Sequence, residues 1–448
     1  MLKHWKVILL LAIPSIASFA SMTVTGTISL IMVGHMGALV IAIVGVTNII
    51  MYNVFAIFSG IGHTVNYLVA QSYGANDMKK GIERTYIALY LTVVVSVIII
   101  IVGIFASDII LRAIAGNDHL ALAGSEYLTL RFYAMAFGIF NFVFHGFLRG
   151  IGDTKTPMVL SIASNLLMIF FTYVLIHGQL GFPDMDLGGA GLAILVGEAF
   201  GFFGCLYVYF VKLNSRYHTR SKVKYNHAES KLILGESGKL GLQEFSLSIS
   251  MFIFTVFVSR LGTEALAANE IALNVMSFGF MPAFAFGATA TILVGQYVGN
   301  GTPVHARRIG TETAVMGVLL LLLLGTLEFV LAGPIARIFT DNAEVIHLVT
   351  LLIMISAFLQ IFDGLLNIYA GGLRGIGDTT FLLWTSLLTG FGIFVPSAYL
   401  FIFVLDWGSI GAWLSLYLFI FVFCALVMLR FYRTDWTSIQ TKKAQETV

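Results

Sequence analysis

Between Tyr90 and Ala106 the sequence reads YLTVVVSVIIIIVGIFA, without a single charge. As a helix rising about 1.5 Å per residue, such a run crosses most of a hydrocarbon layer about 30 Å thick. Comparable runs recur from one end of the chain to the other. Lipid cannot satisfy a free backbone N–H or C=O, so a spanning chain is restricted to helices or a closed barrel. A barrel would alternate polar and apolar residues over short segments, whereas these runs are long and unbroken. Of 448 residues, 58% are hydrophobic and 11% charged, against about a quarter charged in a soluble domain. The expected class is an all-α polytopic membrane protein.

Turn residues and charges divide the chain into about twelve spans. The expected bounds are 8–33, 41–70, 85–106, 126–147, 157–178, 188–212, 238–260, 264–297, 309–333, 344–371, 380–404 and 408–431. The N-terminal apolar stretch continues to about Val33 with no cleavage site, so it reads as the first span rather than a removed signal. Cys205 and Cys424 both lie in apolar runs, so no structural disulfide is expected. A formal charge of +2 gives no footing for nucleic acid.

Basic residues set the expected orientation. One set of loops holds 21 of the 25, among them Lys3, Lys6, Lys79, Lys80, Arg84, Arg149, Lys155, Arg307, Arg308, Arg374, Arg430, Arg433, Lys442 and Lys443. The opposite side holds Arg112, Arg260 and Arg337, with Arg131 near the start of the fourth span. This asymmetry fits an even number of spans per half and both termini in the cytoplasm of a cell-membrane protein. The one long hydrophilic stretch, 213–237, carries Lys222, Lys224 and Lys231 and reads as a cytoplasmic linker. The expected organisation is a six-helix bundle over 1–212, the linker, a second bundle over 238–433, and a cytoplasmic tail over 434–448.

The heptapeptide LRGIGDT occurs at Leu148–Thr154 and again at Leu373–Thr379, 225 residues on. At the same offset VAQSYG at Val69 pairs with VGQYVG at Val294, Gly37 with Gly262, and Ala42 with Ala267. Four landmarks at one offset indicate a duplicated six-span unit. Six is even, so both copies insert the same way and should be related by a pseudo-twofold axis along the membrane normal, a plan used by secondary transporters. In each heptapeptide the glycines permit a tight reversal, Asp153 and Asp378 are positioned to cap the next helix, and Arg149 and Arg374 are expected to mark the membrane boundary. There is no GxxxxGK[ST] phosphate loop and no nucleotide-binding domain, so neither ATP nor an ATPase subunit is expected to drive the protein.

Taken together, the twelve spans, LRGIGDTKTP after the fourth, LRGIGDT after the tenth, VAQSYGAND, VGQYVGNG and LGTEALAANEIALN make the chain resemble the MATE (multidrug and toxic compound extrusion) transporters over almost its whole length. The resemblance implies a V-shaped pair of bundles that exports amphipathic, often cationic compounds in exchange for sodium ions or protons. Many family members read VDTIMVG in the first span; here the sequence is ISLIMVG, with Ser29 where the aspartate stands. In the tenth span, DGLLNIYAGGLRG places Asp363 at the position of the aspartate used by the sodium- and proton-coupled bacterial branch. The resemblance therefore points to the C-terminal half for ion coupling.

Ionisable groups inside spans are costly and usually face a cavity or a partner. Asp363 lies deep in the tenth span, with Asn367 one turn on and on the same face. Glu244 lies in the seventh span; Glu270, Asn269 and Asn274 lie in the eighth. Carboxylates and amide oxygens suit a hard cation such as Na+, with Asp363 and Glu244 its expected ligands, and they can equally hold a proton. The competing reading is interhelical hydrogen bonding that only joins the bundle. In the N-terminal half Glu198 sits midway along the sixth span, and His63 and Asn66 share a face of the second; with Phe278, Met281 and Phe284 they are the candidates for lining a substrate cavity. His145 is a further histidine, in the fourth span. Pro14, Pro282 and Pro396 are candidate kinks.

The expected function is secondary efflux of amphipathic, cationic compounds by a monomer, coupled to Na+ or H+ and using no cofactor. The alternative is a lipid-linked precursor flippase of the same broad superfamily. A flippase would favour a basic cavity, and the spans hold almost no basic residue apart from Arg131. Neither HExxH nor GxSxG appears in the spans, so no enzyme is expected.

Overall fold

A computed structural model describes residues 2–115, 118–221, 226–339 and 342–440. Lys222, Lys224, Lys442, Lys443 and the last eight residues of the expected tail lie outside these. The chain runs α1 (Leu2–Gly34), α2 (Ala38–Gly74), α3 (Met78–Ala115), α4 (Asp118–Gly150), α5 (Lys155–Ile176) and α6 (Asp186–Tyr207). A π-turn over Val208–Lys212 and the short α7 (Asn214–Tyr217) lead to α8 (His227–Ser259), α9 (Thr263–Gly299), α10 (Pro303–Phe339) and α11 (Ala343–Ile376). Then come α12 (Thr379–Thr389), α13 (Val395–Tyr399) and α14 (Gly408–Arg433). The described residues contain no strand, and twelve of their helical stretches are long and apolar enough to cross a membrane. This is a multi-pass membrane protein.

Most helices outrun the expected spans. α3 begins at Met78 rather than 85, α8 at His227 rather than 238, and α10 covers Pro303–Phe339 rather than 309–333. Apolar runs mark the hydrocarbon layer, whereas helical hydrogen bonding continues into the polar residues on either side. The helix of α1 continues through Pro14 and that of α9 through Pro282. Around Pro396 the helix is instead relaxed by π-turns at Gly390–Phe394 and Leu400–Val404, a recognised response to a missing backbone donor.

The described residues form two compact units. One comprises the chain up to Ile16, Tyr73–Asn76 and everything from Leu242; the other comprises Ala17–Ser72 and Asp77–Gly241. α1 and α8 therefore each contribute their first part to one unit and the remainder to the other. Ile8, Leu11 and Ala12 belong to the apolar core that also contains Phe254, Phe394, Phe419 and Trp413. Within it Phe254 stacks on Phe394 at 5.3 Å, and Phe394 on Phe419 at 4.8 Å.

The duplication is visible contact by contact. α1 and α8, and likewise α2 and α9, have bounds offset by 225 residues. In one unit a Cβ on Gly146 would collide with the carbonyl oxygen of Gly62; in the other a Cβ on Gly371 would collide with that of Gly287. A Cβ on Gly62 would stand 2.8 Å from the Phe142 carbonyl oxygen, and one on Gly287 2.7 Å from that of Asn367. A turn further on, Gly150 faces the Asn66 carbonyl and Gly375 that of Thr291, at 2.9 and 3.0 Å. Every one of these partners is also 225 residues apart. The α2–α4 and α9–α11 crossings are thus the same glycine-lined approach, built twice.

The heptapeptides terminate α4 and α11. Gly152 and Gly377 adopt φ of 84° and 83°, and the Asp153 and Asp378 N–H groups return to the Leu148 and Leu373 carbonyls, both at 2.9 Å. This is a Schellman termination, which favours glycine at the left-handed position. Asp153 accepts hydrogen bonds from the Thr156 N–H and hydroxyl at 3.0 and 2.6 Å, capping α5 as expected. Asp378 makes no cap; its carboxylate instead accepts from Arg430 Nε at 2.7 Å. Arg149 is buried and Arg374 half-buried, each in the last turn of its helix. Arg149 lies 4.8 Å from the centre of the Phe19 ring, and Arg374 faces Glu244.

Ion pairs fix the start of α8. Glu229 accepts from Arg84 Nε at 2.9 Å and lies 3.0 Å from Lys80 Nζ, and Glu229 and Arg84 are almost fully buried. In the other unit His4 Nδ1 lies 3.1 Å from Glu312 Oε2, and Arg308 Nε donates to Glu312 Oε1 at 3.0 Å.

Removing one member of a buried pair strands the other, at a cost of about 3–5 kcal/mol. Glu229→Ala is therefore expected to lower the thermal unfolding midpoint of the detergent-solubilised protein sharply; an unchanged midpoint would contradict this role. Gly371→Ala should cost about 1–3 kcal/mol by overpacking. Gly333→Ala, whose added Cβ would meet nothing within 4 Å, should not destabilise.

Candidate functional site

α11 carries Ser356, Gln360, Asp363 and Asn367, spaced so that all four share one helical face. Ser356, Gln360 and Asp363 are buried and Asn367 is half-buried. Glycines on neighbouring helices bring backbone up to this face. Gln360 Oε1 occupies the space a side chain on Gly279 of α9 would need, Gly287 of α9 lies against the Asn367 backbone, and Gly325 of α10 lies against the Ala357 carbonyl. Asn367 Nδ2 donates to Asp363 Oδ2 at 3.1 Å and to the Asp363 carbonyl at 2.9 Å. The amide fixes the carboxylate's orientation without cancelling its charge.

Among the described residues, no hydrogen bond or ion pair joins Asp363 to Glu244 or Glu270. Glu244 lies 3.7 Å from Arg374 Nη2, so its charge faces a guanidinium. Glu270 is exposed, as is Asn274, whose carbonyl accepts from Ser277 Oγ at 2.6 Å. Asn269 is buried, and its Oδ1 accepts from Trp413 Nε1 at 3.2 Å. The structure thus brings Asp363 and Asn367 together and gives the other four residues different partners or surroundings.

Of the expected cavity residues, Phe278 is exposed and Met281 and Phe284 are half-buried, with the Phe284 ring 5.4 Å from that of Phe280. His63 is buried, edge-on to Phe142 at 5.1 Å. Asn66 is buried and its Oδ1 makes no hydrogen bond. Glu198 accepts from Asn141 Nδ2 at 2.8 Å.

One further residue, Glu328 of α10, reaches the α11 face. Gln360 Nε2 donates to Glu328 Oε2 of α10 at 2.6 Å, and Gln360 Oε1 is buried without a hydrogen bond. Glu328 had a signal in the sequence, being an acid inside the apolar ninth span. Gln360 is marked only by its spacing from Asp363. Among the described residues no three His, Cys, Asp or Glu side chains converge as a metal centre requires. A cation at Asp363 would therefore draw on one carboxylate together with amide and backbone oxygens.

The MatE family profile matches residues 14–174 and again 240–400, one stretch in each half. A Thermotoga maritima protein named Probable multidrug resistance protein NorM is 28% identical over 442 residues, covering 96% of this chain and 93% of its own. Multidrug resistance protein MdtK of Photorhabdus laumondii is 28% identical, covering 98% and 97%. Among solved structures, the outward-facing conformation of a multidrug resistance MATE family transporter of the MOP superfamily superposes with a TM-score of 0.88 at 21% identity, covering 95% of each chain. A MOP superfamily transporter from Pyrococcus furiosus gives 0.87 at 20% identity, covering 96% and 97%. These structures share the fold. The family profile, matched twice and over more than half the chain in all, shows that the chain belongs to the MatE family.

Proposed function

We propose that this protein is a secondary antiporter that exports amphipathic, cationic small molecules in exchange for Na+ or H+ by alternating access. The observation that carries the reading is Asp363, a carboxylate buried inside a membrane span whose hydrogen-bond donor is a neutral amide. An ionised carboxylate in that setting is costly unless it serves to hold a cation. The names of the relatives, multidrug resistance proteins, support a drug-like cargo. Asp363 and Asn367 act on the coupling ion, while Phe278, Met281 and Phe284 in one half and His63 and Asn66 in the other face substrate. The halves 1–212 and 238–433 are the moving bundles, joined by the linker 213–237. Both termini are cytoplasmic, the working unit is a monomer, and no ATP is used.

A cation can drive export only if it binds the two access states with different affinity. A coupling cation and a cationic drug would both neutralise the buried Asp363 carboxylate, so each binds at the expense of the other.

Ethidium efflux from proteoliposomes, with a sodium gradient and a pH gradient imposed separately, tests the reading. One of the two gradients is expected to drive efflux, and Asp363→Asn should reduce it to the rate of protein-free vesicles while the protein stays folded. Gradient-driven efflux at the normal rate in Asp363→Asn would remove Asp363 from the mechanism.

A further inference from the structure

The α2–α4 and α9–α11 crossings fix a register between the two halves. About two turns before Gly371 stands Asp363; about two turns before Gly146, and 225 residues before Asp363, stands Gly138. The N-terminal half thus has no carboxylate of its own at the place of Asp363. The space is filled from another helix. Glu198, midway along α6, places Oε2 3.4 Å from where a Cβ on Gly138 would be. Its carboxylate accepts from Asn141 Nδ2 at 2.8 Å, and Asn141 lies one turn from Gly138 on α4. In the C-terminal half Asn367, one turn from Asp363, donates to Asp363 at 3.1 Å. Both halves therefore present a carboxylate held by an asparagine amide at equivalent levels of α4 and α11, the N-terminal carboxylate being carried by α6.

The N-terminal pair is short of positive partners. Asn141 is only 8% exposed, and its Oδ1 is buried with no hydrogen bond. A Cβ on Gly201 would lie 2.9 Å from both Asn141 Nδ2 and Ser164 Oγ, so the α5 hydroxyl shares this glycine-lined space. The Asn141 amide also donates to the Glu198 carbonyl at 3.0 Å. The ionisable groups near enough to influence Glu198 are Arg131 on α4 and Cys205 on α6. Neither hydrogen-bonds it: Arg131 Nη1 donates to Asn48 Oδ1 at 3.0 Å and to the Tyr127 hydroxyl at 2.9 Å. Carboxylate and amide oxygens in excess of donors are a hard-cation environment.

We propose that Glu198 and Asn141 form a second site for a monovalent cation, Na+ or H+, so that each half of the duplicated chain holds one. The proposal extends the antiport reading by adding a cation, and cation binding tests it independently of efflux.

The test uses the full-length protein in nanodiscs. One arm measures equilibrium binding of radioactive Na+ at fixed pH. The other, in sodium-free buffer, measures protons released on a pH jump with a membrane-impermeant dye. In at least one arm, Asp363→Asn should retain part of the wild-type cation binding, and that remainder should vanish on adding Glu198→Gln. Asn141→Ala, which keeps the carboxylate, should weaken the remaining site by about 10-fold or more, as loss of a supporting partner does. Gel filtration and thermal melting identify any variant that has failed to fold, in which case Asn141→Ala in the Asp363→Asn background decides. The proposal is overturned if Asp363→Asn alone abolishes cation binding in both arms, if Glu198→Gln leaves binding unchanged in both, or if the wild type binds no cation in either. Loss of coupling by Asp363 alone would show in the efflux assay and leaves this result distinct.

Discussion

Backbone meets backbone at Gly62–Gly146 and at Gly287–Gly371, and the level of Gly138 on α4 and of Asp363 on α11 follows from those two approaches. In lipid there is no hydrophobic force to press helices together, so association rests on close packing and on a few polar contacts. Glycine at the crossing removes the side chains that would hold the axes apart. Once α4 and α11 are pinned in this way, the depth of residues two turns earlier is fixed as well. Asp363 in one unit and Gly138 in the other inherit equivalent positions from equivalent crossings.

Seven acids of the described helices fall into two groups. Glu229, Glu236, Glu312 and Glu244 face bases: Arg84 and Lys80, Lys239, Arg308, and Arg374 respectively. Asp363, Glu198 and Glu328 are hydrogen-bonded by amides, those of Asn367, Asn141 and Gln360. A base cancels the charge it meets and makes a structural joint. An amide orients a carboxylate and leaves the charge to attract something else. The first group ties helices together through opposite charge, whereas the second leaves its carboxylates without a facing base.

Much of this was legible in the sequence because the membrane imposes a simple rule on it. Spans follow from apolar length, and the duplication follows from one offset shared by LRGIGDT, VAQSYG and their partners. Asp363 and Asn367 were legible as a pair because they lie on one helix, one turn apart. Helix ends were less so, since polar residues beyond the hydrocarbon still complete helical hydrogen bonds, as at His227–Gly241. The partners of Arg149 and Arg374 were hidden because composition shows a basic residue at a span end but not the Phe19 ring or the Glu244 carboxylate beside it. The Glu198–Asn141 pair was illegible for another reason. Its members come from different helices, and the residue that makes room for them is a glycine, which carries no chemical signal.

The central claim is that cation and cargo bind in competition through a carboxylate left uncancelled in the tenth span. It is tested most directly at equilibrium, without a membrane gradient, by titrating a fluorescent cationic substrate onto the purified protein over a range of Na+ concentration and, separately, of pH. Linkage requires that a cation which drives export lower the affinity for cargo, and that cargo lower the affinity for the cation by the same factor. The account predicts such a dependence for one of the two ions and its loss in Asp363→Asn. Substrate affinity indifferent to both ions in the wild-type protein would contradict it.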